Sequence, residues 1–166
     1  AILAYQGFIY GGYYNKPKFC YRDLNYTQPW VIKDIQALIY EKEGVWDENQ
    51  IRIVSIEPAG DNIIFATCAR IGYTGVTSNV RIIKFNKTNN TYTIIAKINS
   101  PVISNIAIRT VDQNNIDIYG STFSGVFYFR HNLDSSTTQI VAPITSLKSY
   151  SVLVDNDKLY VLHDLI

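Results

Sequence analysis

The sequence is poor in charge and contains no methionine. Charged residues make up 17% of the chain, and 15 basic residues nearly balance 14 acidic residues, which leaves a formal net charge of +1. The lysines and arginines are also scattered along the chain. A surface without a basic patch has little electrostatic attraction for nucleic acid or anionic lipid. We therefore expect no nucleic-acid partner.

Long apolar runs are absent as well. No stretch approaches the roughly 18 apolar residues that a membrane-spanning helix needs, so we expect no membrane insertion. The start at Ala1 also lacks the basic, apolar and small-residue regions of a signal peptide. An apolar content of 47% nevertheless excludes a disordered tail. The sequence predicts a globular chain that carries no targeting signal of its own.

Cysteine is scarce, with only Cys20 and Cys68 in the chain. Neither residue belongs to a C-x-x-C motif or a Cys/His cluster, and His131 and His163 have no metal-ligand or nucleophile motif beside them. We therefore predict no metal and no cofactor. Two alternatives remain open for the cysteines, namely two buried thiols or one disulfide.

What the chain does contain is suited to strands. Isoleucine dominates the apolar residues, and 13 Tyr and 7 Phe residues accompany it. Branched and aromatic side chains pack better on pleated surfaces than on helices. This composition predicts an all-β fold.

A repeated pattern organises these strands. A turn pair followed by an alternating apolar strand begins at Asp61, Asn114 and Asn156, at spacings of roughly 40 to 55 residues. A shorter apolar strand precedes each occurrence, and two more strands follow the first two occurrences, so a full unit has four antiparallel strands. The region up to residue 36 fits the same template from its second strand onward. We therefore expect its first strand to be missing.

A four-stranded sheet repeated at this period resembles the β-propeller superfold, which includes WD40, kelch and YVTN-type repeats, although no signature of a specific family is present. The resemblance implies about three four-stranded antiparallel blades that begin and end in mid-blade. The alternative is a β-sandwich, which also uses short alternating strands. The predicted boundaries are a partial blade over 1–36, a connecting insertion over 37–50, a blade over 51–99, a blade over 100–145 and a partial blade over 146–166.

Three blades cannot close a ring, because propellers contain about four to eight. An open stack would leave the apolar faces of both end sheets in water. We therefore expect further blades from the same parent chain, from another fragment or from another copy to complete the ring.

Three acceptor sequons for N-linked glycan begin at Asn25, Asn86 and Asn89. All three fall in turns between the third and fourth strands of a unit. Ordinary polar turns are the alternative interpretation. If glycans are attached, the protein is extracellular or lies at a cell or virion surface, and a disulfide between Cys20 and Cys68 would fit that location.

The longer connections of a propeller open on the other face, where scaffold folds usually carry binding residues. One such loop spans Gly11 to Lys16, a second runs from Arg70 to Ser78, and a third is the insertion over 37–50. Aromatic side chains beside polar groups can bind sugars or proteins, although packing between blades is the alternative. The candidate binding residues are Tyr13, Tyr14, Trp46, Arg70 and Tyr73.

Three functions fit these features. The favoured hypothesis is a binding or scaffold module that contacts a protein or glycan through the long-loop face. The second is a structural subunit of a surface layer, filament or virion. The third is a propeller hydrolase or lyase that uses carboxylates such as Glu41, Glu43 and Asp47. We expect the chain not to be an enzyme, because a solvated acidic loop explains these carboxylates better.

Overall fold

A computed structural model describes residues 1–69, 80–100, 103–144 and 148–163. Strands dominate this part of the chain, and one short helix follows the fourth strand. The elements are, in chain order, β1 (Ile2–Tyr5), β2 (Phe8–Gly12), β3 (Lys18–Asp23), β4 (Val31–Asp34), α1 (Ile35–Glu43), β5 (Gln50–Ala59), β6 (Asn62–Ala69), β7 (Val80–Asn86), β8 (Thr91–Ile98), β9 (Ile103–Thr110), β10 (Asn115–Thr122), β11 (Gly125–Asn132), β12 (Gln139–Val141), β13 (Ser149–Asp155) and β14 (Lys158–His163).

The strands form four sheets, numbered here in chain order. Sheet I contains β1 to β4, sheet II contains β5 to β8 with β12 at its edge, sheet III contains β9 to β11, and sheet IV contains β13 and β14. Strands that follow one another within a sheet pair antiparallel. The predicted all-β class is confirmed, and each predicted strand has a counterpart. None of the sheets closes on itself, and open sheets of this kind are compatible with a propeller and with a sandwich.

The first strand of the N-terminal unit is present, so its predicted absence was wrong. Strand β1 pairs with β2 through a hairpin that turns at Gln6 and Gly7. Both turn residues have positive φ values, 46° and 77°. A two-residue turn with positive φ at both positions matches the right-handed twist of the strands that it joins. Sheet I is therefore a complete four-stranded meander.

Sheet II lies between sheet I and sheet III. Because side chains alternate along a strand, β6 sends Ile63 and Phe65 to one face and Ile64 and Ala66 to the other. The first pair packs with side chains of sheet I and α1, and we call this cluster the I/II core. The second pair packs with side chains of sheet III in the II/III core. Both faces of sheet II are therefore buried.

Sheet IV packs on the other face of sheet III through a much smaller cluster. Ala107, Val126 and Val152 are its buried members, and we call it the III/IV contact. The Asn105 side chain also bridges the two sheets, because its Nδ2 group donates to the Val152 carbonyl at 2.8 Å and its Oδ1 atom accepts from the Val152 N–H group at 2.9 Å. The four sheets therefore pack face to face in the order of their positions in the sequence.

Part of the insertion over 37–50 is helical, which corrects its prediction as a loop. Asp34 caps the N-terminus of α1, since its side chain accepts a hydrogen bond from the Ala37 N–H group. Gly44 ends the helix with a left-handed φ of 72°. Ile35, Leu38 and Ile39 are buried against the I/II core. The helix thus covers one end of that core.

Strand β12 does not complete sheet III as the repeat predicted. It pairs parallel with β8 of sheet II, with Gln139 opposite Ala96 and Val141 opposite Ile98. The buried Lys84 of β7 explains this placement, because its ammonium group donates to the carbonyls of Leu133 and Ser135. The segment after β11 is thereby held against sheet II. Within the described residues, sheet III keeps three strands.

Candidate functional site

Two of the three predicted binding loops meet in one cleft. The cleft has a volume of about 320 Å³ and is lined on one side by residues 15–17, which belong to the β2–β3 connection, and by Lys18 at the start of β3. The other side is formed by Asp34, Gln36, Glu48 and residues 50–51, around and beyond α1. We call this feature the loop cleft.

A glycine allows the two loops to approach each other. A Cβ atom on Gly12 would lie 2.4 Å from the Cβ atom of Ile53, so only a residue without a side chain lets the end of β2 pack this closely on β5. Hydrogen bonds then hold the loop in place. The Tyr13 N–H group donates to the Lys18 carbonyl at 3.0 Å, and the Ile35 N–H group donates to the Pro17 carbonyl at 2.8 Å.

Asp47 holds the opposite wall of the cleft. Its Oδ1 atom accepts from the Asn49 N–H group at 3.1 Å, and its Oδ2 atom accepts from the Gln50 side chain at 3.2 Å. The Gln36 amide donates to the Asp47 backbone carbonyl at 3.3 Å. Asp47 therefore positions residues on both sides of the turn that follows α1.

Asp47 also belongs to a buried cluster of ion pairs. Arg81 on β7 binds Asp47 through Nη1 and Glu43 through Nη2, and Lys97 on β8 binds Glu43 at 3.0 Å. Burial alone would raise the pKa of Glu43, but the hydrogen bonds from Arg81 and Lys97 outweigh it and hold that pKa below its usual range. Glu43 is therefore ionised at neutral pH. An ionised carboxylate held by two cations is poorly suited to serve as a general acid.

The third acidic residue considered for catalysis, Glu41, lies on the exposed side of α1. Its carboxylate pairs with Lys42 at 2.9 Å and with Lys33 at 3.6 Å, and hydrogen bonding to Lys42 is the main cause of its lowered pKa. Such exposed pairs are common on protein surfaces and need no catalytic explanation.

The predicted aromatic binding residues in the described part of the chain are exposed. Tyr14 exposes 73% of its surface, and Tyr13 and Trp46 expose about half of theirs. The Arg52 guanidinium lies 4.9 Å from the centre of the Tyr14 ring, and Trp46 lies edge-on to Tyr40. These three rings are therefore not packed between the described sheets, and Tyr13 lines a groove on the outer face of sheet I. Their role in binding remains a prediction.

The remaining predicted binding residues, Arg70 and Tyr73, lie outside the described residues, in the segment 70–79.

The sequons lie at the edges of two neighbouring sheets. Asn25 and Asn89 are exposed in the β3–β4 and β7–β8 connections. Asn86 is less accessible, because it ends β7 and its Nδ2 group donates to the Asn62 side chain at 3.1 Å. The β7–β8 connection approaches strand β3 of sheet I, since the Tyr21 hydroxyl group donates to the Oδ1 atom of Asn90 at 3.4 Å. Glycosylation at all three sites stays a prediction, and Asn25 and Asn89 are the open positions.

The two cysteines are free thiols, so the disulfide alternative is not the one found. Cys20 on β3 is half-buried and points away from the I/II core, because its neighbours Phe19 and Tyr21 point into that core. Its thiol donates to the Gly11 carbonyl at 3.4 Å. Cys68 is buried in β6 of sheet II.

A second cavity, of about 550 Å³, was not predicted from the sequence. It lies between the end of α1, strand β8 and the segment around β12, and its lining includes Lys42, Lys97 and Thr138. The two lysines already pair with Glu41 and Glu43. Its walls meet only because β12 joins sheet II, so no local sequence pattern could have revealed it.

Neither a metal centre nor a membrane span is found in the described residues. No three His, Cys, Asp or Glu side chains among them are arranged to hold a metal ion. Helix α1, with nine residues, is too short to cross a bilayer, and the described residues offer no longer apolar helix.

No protein-family model and no curated protein sequence matches this chain. Its function is therefore inferred from its own fold and side chains.

Proposed function

We propose that this chain is part of a β-propeller and serves as a binding or scaffold module at an extracellular, cell or virion surface. It contacts a protein or a glycan through the loop cleft and the exposed aromatic residues of the same loops. The observation that carries this proposal is the meeting of the 11–16 loop with the 37–50 segment, which are remote in sequence. Binding residues are commonly carried by loops that a rigid scaffold brings together.

The packing of the sheets supports the propeller. Blades of a propeller stack face to face in chain order, so that an interior blade is covered on both faces. Sheet II has both faces buried, by sheet I and by sheet III. A two-layer sandwich would leave one face of each sheet outward.

The end sheets support completion by further blades. Sheet I exposes Ile2 at 74%, and a groove of about 370 Å³ beside it has Gly11, Cys20 and Ile32 in its lining. Sheet IV exposes Leu162 at 63% on the face that points away from sheet III. Grouped apolar side chains of this kind mark surfaces that another element covers. The covering blades come from the same parent chain, another fragment or another copy.

The ion pairs of the acidic residues support a non-catalytic role. Glu43 and Asp47 form ion pairs with Arg81, and Glu41 forms ion pairs with lysines on the surface. A binding module needs no further reactive group.

Site-specific crosslinking tests which face binds. A photo-crosslinking amino acid at Lys16, an exposed residue of the cleft lining, is compared with the same amino acid at Tyr26, in the β3–β4 connection. Each protein is illuminated with a surface extract of the organism that produces it. We expect protein or glycoconjugate adducts from position 16 and few from position 26. Equal or stronger labelling from position 26 would contradict binding through the loop cleft.

A structural subunit of a surface layer, filament or virion is the second candidate. The exposed apolar faces at both ends of the stack favour it, because head-to-tail contacts between such faces generate rings or filaments. Electron microscopy of the native particle distinguishes the two candidates. A continuous lattice or filament supports the structural subunit, whereas discrete particles support the binding module.

A further inference from the structure

The charges that line the loop cleft cancel. Lys16 and Lys18 contribute two positive charges, and Asp34 and Glu48 contribute two negative charges. A pocket built for an anionic or cationic ligand concentrates charge of the opposite sign. The balance in the loop cleft therefore favours a ligand without net charge.

The cleft lining supplies hydrogen-bonding groups of both kinds. Gln36 and Gln50 each donate to Asp47, which fixes them in the wall of the cleft. The exposed Asn15 carries two donor hydrogens and an acceptor oxygen. The neighbouring lysines add donors, and the carboxylates add acceptors. Ligands with hydroxyl groups, which both donate and accept, match such a lining.

Tyr14 directly precedes the lining residue Asn15 in the chain, and its ring offers a flat apolar surface. The Arg52 guanidinium, 4.9 Å from the ring centre, supports one face of the ring through a cation–π contact. With 73% of its surface exposed, Tyr14 presents its ring to solvent. An exposed aromatic ring beside polar groups can stack on the C–H face of a sugar ring while the hydroxyl groups are bound by the polar wall.

We propose that the loop cleft binds a neutral saccharide, with Tyr14 as its stacking platform. This inference rests on the proposed binding function and names its ligand class. The volume of about 320 Å³ lies at the lower end of the roughly 300 to 1,000 Å³ of small-ligand sites, which suits a mono- or disaccharide.

Titration followed by NMR chemical shifts and calorimetry tests the ligand class. The probes are glucose, galactose, mannose, N-acetylglucosamine, lactose and maltose, with glucuronic acid and glucosamine as charged counterparts. We expect at least one neutral probe to bind, with affinity that changes less than about twofold between low and high salt, because a neutral ligand is little affected by ionic screening. Binding of the charged sugars alone would overturn the proposal, as would binding of no sugar at all.

Two substitutions locate the site. Tyr14→Ala should weaken binding of the neutral sugar about tenfold, whereas Tyr14→Phe, which keeps the ring, should retain it within about twofold. Tyr26→Ala is the matched control, because Tyr26 is also exposed, at 61%, and also stacks with an arginine, Arg22, at 4.3 Å. An equal loss of affinity in Tyr14→Ala and Tyr26→Ala would overturn the assignment to the loop cleft.

The crosslinking experiment separates this inference from the proposed function. If position 16 captures a protein but no sugar binds, the saccharide inference fails and the binding module stands. If position 16 captures nothing and no sugar binds, both fail.

Discussion

The II/III core and the III/IV contact join successive sheets in the same order, but they differ in chemistry. The II/III core consists mainly of branched and aromatic side chains from both sheets, with the buried Lys84 and His131 on the same two faces. The III/IV contact buries only Ala107, Val126 and Val152. Burial of apolar area contributes about 25 cal/mol per Å², so the larger cluster stabilises the middle of the stack far more.

Charge replaces apolar packing on the sheet III face that points towards sheet IV. Asp117 on β10 lies opposite Arg109 on β9 and Arg130 on β11, and both arginines donate to its buried carboxylate. The Tyr128 hydroxyl group also donates to it at 3.1 Å. Hydrogen bonding to Arg130 is the main cause that lowers the pKa of Asp117 to about 2.

Apolar packing therefore supports the middle sheets far more than it supports sheet IV. A two-stranded sheet such as sheet IV is marginal alone in water. Sheet IV also leaves its outer side chains exposed. The comparison therefore predicts that stability falls from sheet II towards sheet IV until another element covers the end.

The largest expected effect comes from the II/III core. Phe127→Ala should lower the free energy of unfolding by about 3–5 kcal/mol, because the ring is fully buried and lies directly over Gly120. Val152→Ala, in the III/IV contact, should cost only about 1–2 kcal/mol. Urea denaturation measures both. If Val152→Ala lowers the free energy of unfolding as much as Phe127→Ala does, the stated difference between the II/III core and the III/IV contact is wrong.

The next effect is a pH dependence from His131. This side chain is buried on sheet III, and burial lowers its pKa from 6.5 to about 4. Between about pH 6.5 and pH 4, the His131 side chain therefore binds a proton in the unfolded chain but not in the folded chain. Stability is complete above about pH 6.5 and falls by up to about 3 kcal/mol as the pH drops to 4.

The variant His131→Gln should lose less stability than the wild type as the pH falls from 7 to 4. Urea denaturation at several pH values in this range measures the difference. The exposed His163 offers the control His163→Gln, which should leave the decline as it is in the wild type. A decline that persists unchanged in His131→Gln would assign it to other groups.

A smaller effect is expected from the row of charged side chains on sheet III that Arg109, Asp117 and Arg130 form, here called the charged row. Because the folded pKa of Asp117 lies below its unfolded value of 3.8, its contribution is present above pH 4 and is lost as the pH falls through 2. Its arginine partners are partly exposed, which weakens the ion pairs through solvent screening. Asp117→Asn should therefore cost about 1–2 kcal/mol at neutral pH.

The matched control for the charged row is Asp157→Asn. Asp157 also pairs with Arg109, but its side chain is 82% exposed, so its loss should change stability little. Denaturation at pH 7 compares the two variants, and equal losses would contradict the special role of the buried carboxylate.

The smallest effect on the isolated chain is expected at the uncovered face of sheet IV. Leu153→Ser should change the free energy of unfolding by about 0.5 kcal/mol or less, because Leu153 is largely exposed. In the native particle the same substitution should weaken assembly, since it removes an apolar side chain from the face that the proposed further blades would cover. If the Leu153→Ser particle assembles as tightly as the wild type, this face of sheet IV does not contribute to assembly.

The regular strands were predictable from sequence because alternating Ile, Tyr and Phe residues lie between turns rich in Asn, Asp and Gly. The short β1 was missed, although Gln6-Gly7 separates two apolar runs as a hairpin turn does. Helix α1 was missed too, although Asp34 and Gly44 are cap residues at the right spacing. Local signals existed in both cases.

Other features depend on contacts between residues remote in sequence. The pairing of β12 with β8 is accompanied by hydrogen bonds from Lys84 to the segment after β11. The loop cleft forms because Gly12 lets β2 approach Ile53. The sequence indicated the two loops separately, but their meeting could be seen only in the folded chain.

The mass of the native particle, measured after removal of glycans, tests most directly whether the stack is completed by further blades. The exposed apolar faces of sheets I and IV predict a particle clearly heavier than one 166-residue chain. They also predict that the Cys20 thiol, which lines the groove on sheet I, reacts more slowly with an alkylating reagent in the particle than in the isolated chain. A stable particle with the mass of a single chain and a fully reactive Cys20 would contradict the completed propeller.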